Sequence, residues 1–239
     1  MGTSVSIRSP SGSRAWAMVR ASINSGIAPR TVVAEMMVAA GAVDEWLSLL
    51  QSPGLGVYAS RIAEAWHEMP GQVEVHGARE AIANFVDDTR TAGLAAGGGG
   101  LAIGVAERAL ARVLVERIPQ AQPAAAGATV TGAVSAWQAN RGSTPGDLIA
   151  NFLAETMRQL ASHFFSRDAS SVTGGAAVPD ARALRQLTRQ VGDVAAAAAE
   201  PARHILRERG AQAWSDGVRI AFQTGGARGQ PDRSVFDGG

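Results

Sequence analysis

The sequence predicts an all-α protein, a multi-helix globular bundle with flexible N- and C-terminal tails. Three observations carry that expectation. Hydrophobic residues make up 46% of the chain, yet aromatics make up only 5%, and much of the remainder is alanine, which suits closely packed helices. β-Branched runs are few, while apolar positions recur at helical spacing in one segment after another. Proline and glycine punctuate the gaps between those segments. At 239 residues the chain can bury a sizeable core, as one large domain or two small ones.

The opening, "MGTSVSIRSPSGS" (1–13), is rich in Gly, Ser and Pro and reads as a flexible arm. A first helical region is expected over 14–118, a Pro/Ala linker over 119–128, a second helical region over 129–222 and a disordered tail over 223–239. "SRAWAMVRASIN" spaces Trp16, Val19 and Ile23 as a helix, with Ser13 as its N-cap. "PRTVVAEMMVAA" starts a second helix with Pro29 in its first turn, and Gly41 ends it. "VDEWLSLLQ" is a short third helix stopped by "SPG". In "LGVYASRIAEAWHEM", Val57 or Tyr58, Ile62 and Trp66 form one stripe, and Pro70 with Gly71 closes the helix. "QVEVHG" alternates Val73 and Val75 with polar neighbours, the pattern of a short strand. "AREAIANFVDDTR" turns Ile82, Phe85 and Val86 inward.

"TAGLAAGGGG" reads as a hinge before the strongest amphipathic element, "LAIGVAERALARVLVERI". Its inward face is Ile103, Ala106, Leu110, Val113 and Leu114, opposite Glu107, Arg108, Arg112 and Glu116. Beyond the linker, "VTGAVSAWQAN" is a weak helix. "STPGDLIANFLAETMRQLASHFFSR" is a strong one, with Thr144 as N-cap, Pro145 in the first turn and Asp147 at the positive dipole end. Its stripe is Ile149, Phe152, Leu153, Met157, Leu160 and Phe164. "DASSVTGGAAVP" is a loop, and "PDARALRQLTRQVGDVAAAAAE" and "PARHILRERGAQAWSDGVRIAF" complete the helical set. Five tryptophans (Trp16, Trp46, Trp66, Trp137 and Trp214) are distributed one per helix, as core anchors are.

Charge and absent residues narrow the chemistry. The formal net charge is +1, so no global field recruits nucleic acid or an anionic membrane. There is no Cys, which removes disulfides, thiolate nucleophiles and Cys-ligated metals and leaves the redox compartment undetermined. All 22 basic side chains are Arg, which removes any P-loop lysine, Schiff base or lysine general base. No apolar signal region or membrane span is visible, so a cytoplasmic protein is expected.

No catalytic or metal site emerges from the pattern. His67, His76, His163 and His204 are scattered without ligand spacing, and read as surface or capping residues. "GGGGLAIG" departs from the dinucleotide fingerprint at Ala102 and Ile103, although a helix N-terminus there can hold an anion. Asp87 and Asp88 are adjacent on a helix, so they point about 100° apart and cannot share a proton. There is no G-x-S-x-G elbow, and "GGARG" is a lone RGG-like copy. "MGTSVS" fits the myristoylation pattern at Gly2 and Ser6, a modification of eukaryotic-type hosts, whereas the composition reads as bacterial.

The "MGTS" start, the Ser/Gly/Pro arm before a Trp-bearing helix, and "GLAIGVAERALARVL" after a glycine run resemble the QatB family. That family is the helical B component of bacterial Qat anti-phage defence systems. The resemblance covers two short stretches and implies a non-enzymatic partner protein without cofactors of its own. Its implied neighbours are an ATPase, a TatD-like DNase and a QueC-like enzyme (QatC-like), which would itself hold the ATP and deazaguanine substrate. In such systems a protein N-terminus replaces ammonia as the nucleophile toward an adenylated 7-deazaguanine carboxylate.

Applied here, the resemblance implies that Gly2 is the modification acceptor and that Thr3, Ser4, Val5 and Ser6 form the recognition arm. The residues fit that role on chemical grounds. Gly2 is small enough for Met1 to be removed, and an α-amine has a pKa of about 7.7–8.0 against lysine's ~10.4, so a nucleophilic fraction exists near neutral pH. Extended, the arm reaches roughly 35 Å. Two other readings stay open. One is a structural or scaffolding helical protein. The other is a nucleic-acid-binding module using Arg182, Arg185 and Arg189, or Arg203, Arg207 and Arg209.

Overall fold

Thr144, Pro145 and Asp147 open the long central helix as the sequence predicts. The amide and Oγ1 of Thr144 donate to Asp147 Oδ2 at 2.8 and 3.0 Å, and the Asp147 amide donates back to Thr144 Oγ1 at 3.2 Å. This is a reciprocal capping box with Asp in the place of Glu. The computed structural model describes residues 14–26, 28–42, 45–117, 144–168, 174 and 178–227, which are predominantly helical with no strand among them. In chain order the helices are α1 (Arg14–Asn24), α2 (Pro29–Ala42), α3 (Glu45–Leu50), α4 (Pro53–His76), α5 (Ala78–Ala95), α6 (Gly100–Arg117), α7 (Pro145–Asp168), α8 (Ala181–Ala197), α9 (Arg203–Arg209) and α10 (Trp214–Ala227). Short 3₁₀ turns at Glu200–Ala202 and Gly210–Ala213 flank α9.

Helix α7 is the axis of the packing, against α4, α6, α8 and α9. Its predicted stripe of Ile149, Phe152, Leu153, Met157, Leu160 and Phe164 is buried throughout. Phe152 stacks on Tyr58 of α4 (5.9 Å, 4°) and meets Trp214 of α10 at 5.5 Å. Phe164 stacks on Trp46 of α3 at 5.3 Å, and Phe222 approaches Trp46 edge-on. Such pairs add about 0.5–1.5 kcal/mol each beyond their buried area. The Trp214 indole N–H donates to the Leu50 carbonyl at 2.7 Å, tying the start of α10 to the end of α3. Apolar residues of both predicted helical regions thus meet in one core.

Several expectations need correction. Pro70 and Gly71 do not end α4, which runs through them to His76, so "QVEVH" is helical and not a strand. Pro70 removes one backbone donor, but buried Met69 and Val73, four residues apart on one face, hold the last turns against the core. The chain reverses instead at Gly77, whose φ of +79° favours glycine. Helix α2 passes Gly41 to Ala42. Within the glycine run at 97–100 only Gly98 is closely packed: a Cβ on it would fall 2.4 Å from Ile103 Cδ1, and one on Gly54 would fall 2.7 Å from Gly98 Cα, whereas Gly97, Gly99 and Gly100 are open. The segment 203–222 divides at Gly210, where φ is +58°, and α10 continues to Ala227, into the stretch read as tail.

The arm 1–13 with Ser13, the linker 119–128, the weak helix at 130–140 with Trp137, most of the loop 168–179 and the tail from Arg228 lie outside the described residues. Among the described tryptophans, Trp46 and Trp214 are buried, whereas Trp66 is half-buried beneath the Arg117 guanidinium at 4.6 Å. No helix among the described residues is long and apolar enough to cross a membrane.

Candidate functional site

The acceptor and arm residues expected from the sequence, Gly2, Thr3, Ser4, Val5 and Ser6, lie outside the described residues. The four histidines are exposed and far from forming a ligand set: His76 faces Glu80 at 3.8 Å, His204 faces Glu208 at 3.3 Å, and His163 meets the Phe164 ring edge-on. Among the described residues no group of three or more His, Asp or Glu is placed to hold a metal ion. Asp87 and Asp88 are exposed, and Asp87 lies 3.6 Å from Arg90.

The two arginine groups differ sharply. Around α9, each arginine has an acid. Gly146 lets the start of α7 approach α9 so closely that a Cβ there would lie 2.4 Å from the Leu206 carbonyl and 2.5 Å from Arg207 Cα. That approach sets the buried Asp147 carboxylate against Arg207 Nε, with Arg203 Nη1 at 3.5 Å from the same oxygen. Arg203 also pairs with Glu200 at 3.0 Å and donates to Asn151 Oδ1 at 3.1 Å. Arg209 and Arg219 share Asp216, at 3.1 and 2.7 Å. Burial by itself pushes the Asp147 carboxyl pKa up. Hydrogen bonds from the Thr144 amide, the Arg207 guanidinium and the Thr144 hydroxyl outweigh it and hold the group below the ordinary carboxylate range.

On α8, Arg182, Arg185 and Arg189 are all exposed and have no ion-pair partner among the described residues. The nearest acids along the helix are already engaged. Asp180 caps the helix by accepting from the Arg182 and Ala183 amides at 2.8 Å, and Asp193 receives Arg158 at 2.7 Å. Gln186 and Gln190 are exposed beside these arginines. The opposite face of α8 packs on α7, where Gly192 admits Ser162 and Arg158 closely, and Val191 and Ala195 are buried.

A third feature gave no sequence signal. A groove of about 520 Å³ lies between the start of α4 and residues 211–215, lined by Gln51, Ser52, Arg61, Glu64, Gln212 and Ser215 among others. Gln51 Nε2 bridges it to the Ser215 carbonyl at 3.4 Å across 164 residues of sequence. Arg61 pairs with Glu64 and lies over the Phe85 ring at 5.4 Å, which neutralises the groove's strongest charge. The Ser52 hydroxyl is buried there without a hydrogen-bond partner. Elsewhere, Tyr58 is fully buried with an unpartnered hydroxyl, and burial together with the nearby Glu107 pushes its pKa up to about 12.

Compared with models of protein families, with curated proteins and with solved structures, the chain matches none.

Proposed function

We propose that this chain is a non-enzymatic, QatB-like partner protein of a bacterial anti-phage defence complex, and that Gly2 is its modification acceptor. In this reading a QueC-like enzyme adenylates the carboxylate of a 7-deazaguanine with ATP, breaking the α–β phosphoanhydride bond and releasing pyrophosphate. The deprotonated α-amine of Gly2 then attacks the acyl adenylate. A C–N amide bond forms, AMP leaves and the amine gives up a proton. Thr3, Ser4 and Ser6 offer hydroxyls, and Val5 one small apolar contact, for pairing with the enzyme.

One observation carries the reading: all 22 basic residues are arginine, so no lysine amine competes with a terminal one. Arginine stays protonated at pH 7 and is no acyl acceptor, whereas an α-amine with a pKa of about 7.7–8.0 is partly neutral. A body built from helices packed on α7 suits a carrier of such an arm, as the family likeness implies.

Intact-mass measurement after co-expression with a QueC-like enzyme tests this. The expected result is loss of Met1 and a deazaguanine-sized increment on the peptide that begins at Gly2. Retained Met1, or an unmodified Gly2 in the presence of active enzyme, overturns the acceptor role.

A further inference from the structure

We infer that the solvent face of α8, formed by Arg182, Arg185 and Arg189, is a binding surface for the phosphate backbone of duplex nucleic acid. This rests on a different observation from the acceptor reading and stands or falls without it. The three arginines recur at i, i+3 and i+7 and so share one helix face. They span roughly 10 Å of helix axis, about three base-pair steps of 3.4 Å along a duplex axis, so phosphates of one strand fall within their reach. Exposed Gln186 and Gln190 add neutral donors beside them.

These charges are not part of the protein's own scaffold. The arginines of α9 are held by Asp147, Glu200 and Asp216, whereas those of α8 have no such partner among the described residues. Asp180 and Asp193, the acids that flank them, are committed to the helix cap and to Arg158. Arg182 also stands in the first turn of α8, where the helix dipole disfavours a cation, so helix stability does not explain it. A bound anion would relieve that repulsion.

The chemistry of the face favours nucleic acid over a lipid surface. A membrane-lying helix needs an apolar side to insert, and that side of α8 is already spent on the core through Val191 and Ala195. The large exposed hydrophobics among the described residues, Met18 and Leu94, lie on α1 and α5. The face carries no aromatic residue to stack unpaired bases, so backbone contact to a duplex is expected, without sequence preference.

Binding of the full chain to a short labelled DNA duplex of random sequence, followed by anisotropy at salt between about 50 and 200 mM, is the test. Three phosphate contacts give a log–log salt slope near −2.7, and each Arg→Gln change on the face lowers it by about 0.9. R182Q/R185Q/R189Q abolishes binding at low salt, while Arg108→Gln, on exposed α6 surface, leaves affinity unchanged. Circular dichroism confirms that each variant is folded. The inference is overturned if the parent chain does not bind at 50 mM salt, if the triple variant binds equally well, or if anionic phosphatidylserine vesicles bind where the duplex does not.

Discussion

Helices α8 and α9 carry three arginines each, yet the fold uses them in opposite ways. Near α9, Asp147 projects from the start of α7 into the space between Arg203 and Arg207, and those cations help seat one helix against another. Along α8, the packing on α7 turns the apolar side inward and leaves three cations facing water with no acid assigned to them. Identical side-chain chemistry therefore becomes structural or available according to what a distant segment brings alongside. Exposed ion pairs in general contribute little. What distinguishes the α9 group is the burial of one partner, which converts a surface attraction into a requirement for a counter-charge.

The sharpest way to break the contrast is to separate α7 from α9. Gly146→Ala puts a methyl group into backbone atoms of Leu206 and Arg207, not into a side chain that can swing aside. Relieving the overlap is expected to cost about 3 kcal/mol, seen as a Tm lower by roughly 10 °C. The same replacement at Gly104 in α6 meets nothing closer than Arg108 Nη1 at 3.9 Å. There the better helix propensity of alanine is expected to raise stability by about 0.5–1 kcal/mol. Equal effects at the two glycines would show that the close approach at Gly146 is not what positions Asp147.

Asp147→Asn keeps the side-chain shape and removes the charge. At pH 7 it is expected to lower stability by about 2 kcal/mol, less than for a fully buried pair because Arg207 is half exposed. The folded-state pKa of Asp147 lies below its unfolded value of about 3.9. Its contribution is therefore complete above pH 4 to 5 and disappears as pH falls through the folded-state value. Denaturant melts across pH should show the gap between parent and variant closing below about pH 4. A gap that persists there would assign the loss to something other than the carboxylate's charge, which serves Thr144 and the arginines alike.

How much of this was legible beforehand depends on sequence separation. Periodicity exposed the inward faces of α6 and α7, from Ile103 to Leu114 and from Ile149 to Phe164, because every signal there lies within four residues. The Thr144 cap was equally local. Pro70 misled for the opposite reason: a local rule against proline was outweighed by Met69 and Val73 packing onto the core, which no neighbouring residue announces. The arginines themselves were visible in the sequence. That Arg207 finds Asp147 sixty positions away, or that Gln51 faces Ser215 across 164, was not. The candidate acceptor Gly2 rests on a family resemblance and on the chemistry of an amine, for which periodicity has no counterpart.

The smallest effect on stability should be the most informative about function. Gln186 stands one turn after Arg182 and three residues before Arg189, so Gln186→Glu supplies α8 with the counter-charge that Asp147 gives α9. Each new pair is solvent-exposed, and the i, i+4 pair has the less favourable order, so the gain should be only about 0.3 kcal/mol, or roughly 1 °C in Tm. Duplex binding should respond far more. One neutralised cation lowers the salt slope from about −2.7 toward −1.8, and a carboxylate also repels phosphate, so the loss should exceed that of a single Arg→Gln change. A protein whose melting barely moves while its salt-dependent binding collapses would have had its surface arginines converted from the available kind to the structural kind by one atom's worth of charge. If binding and melting both stay fixed, the α8 face has no polyanion to lose and its arginines are ordinary solvated surface.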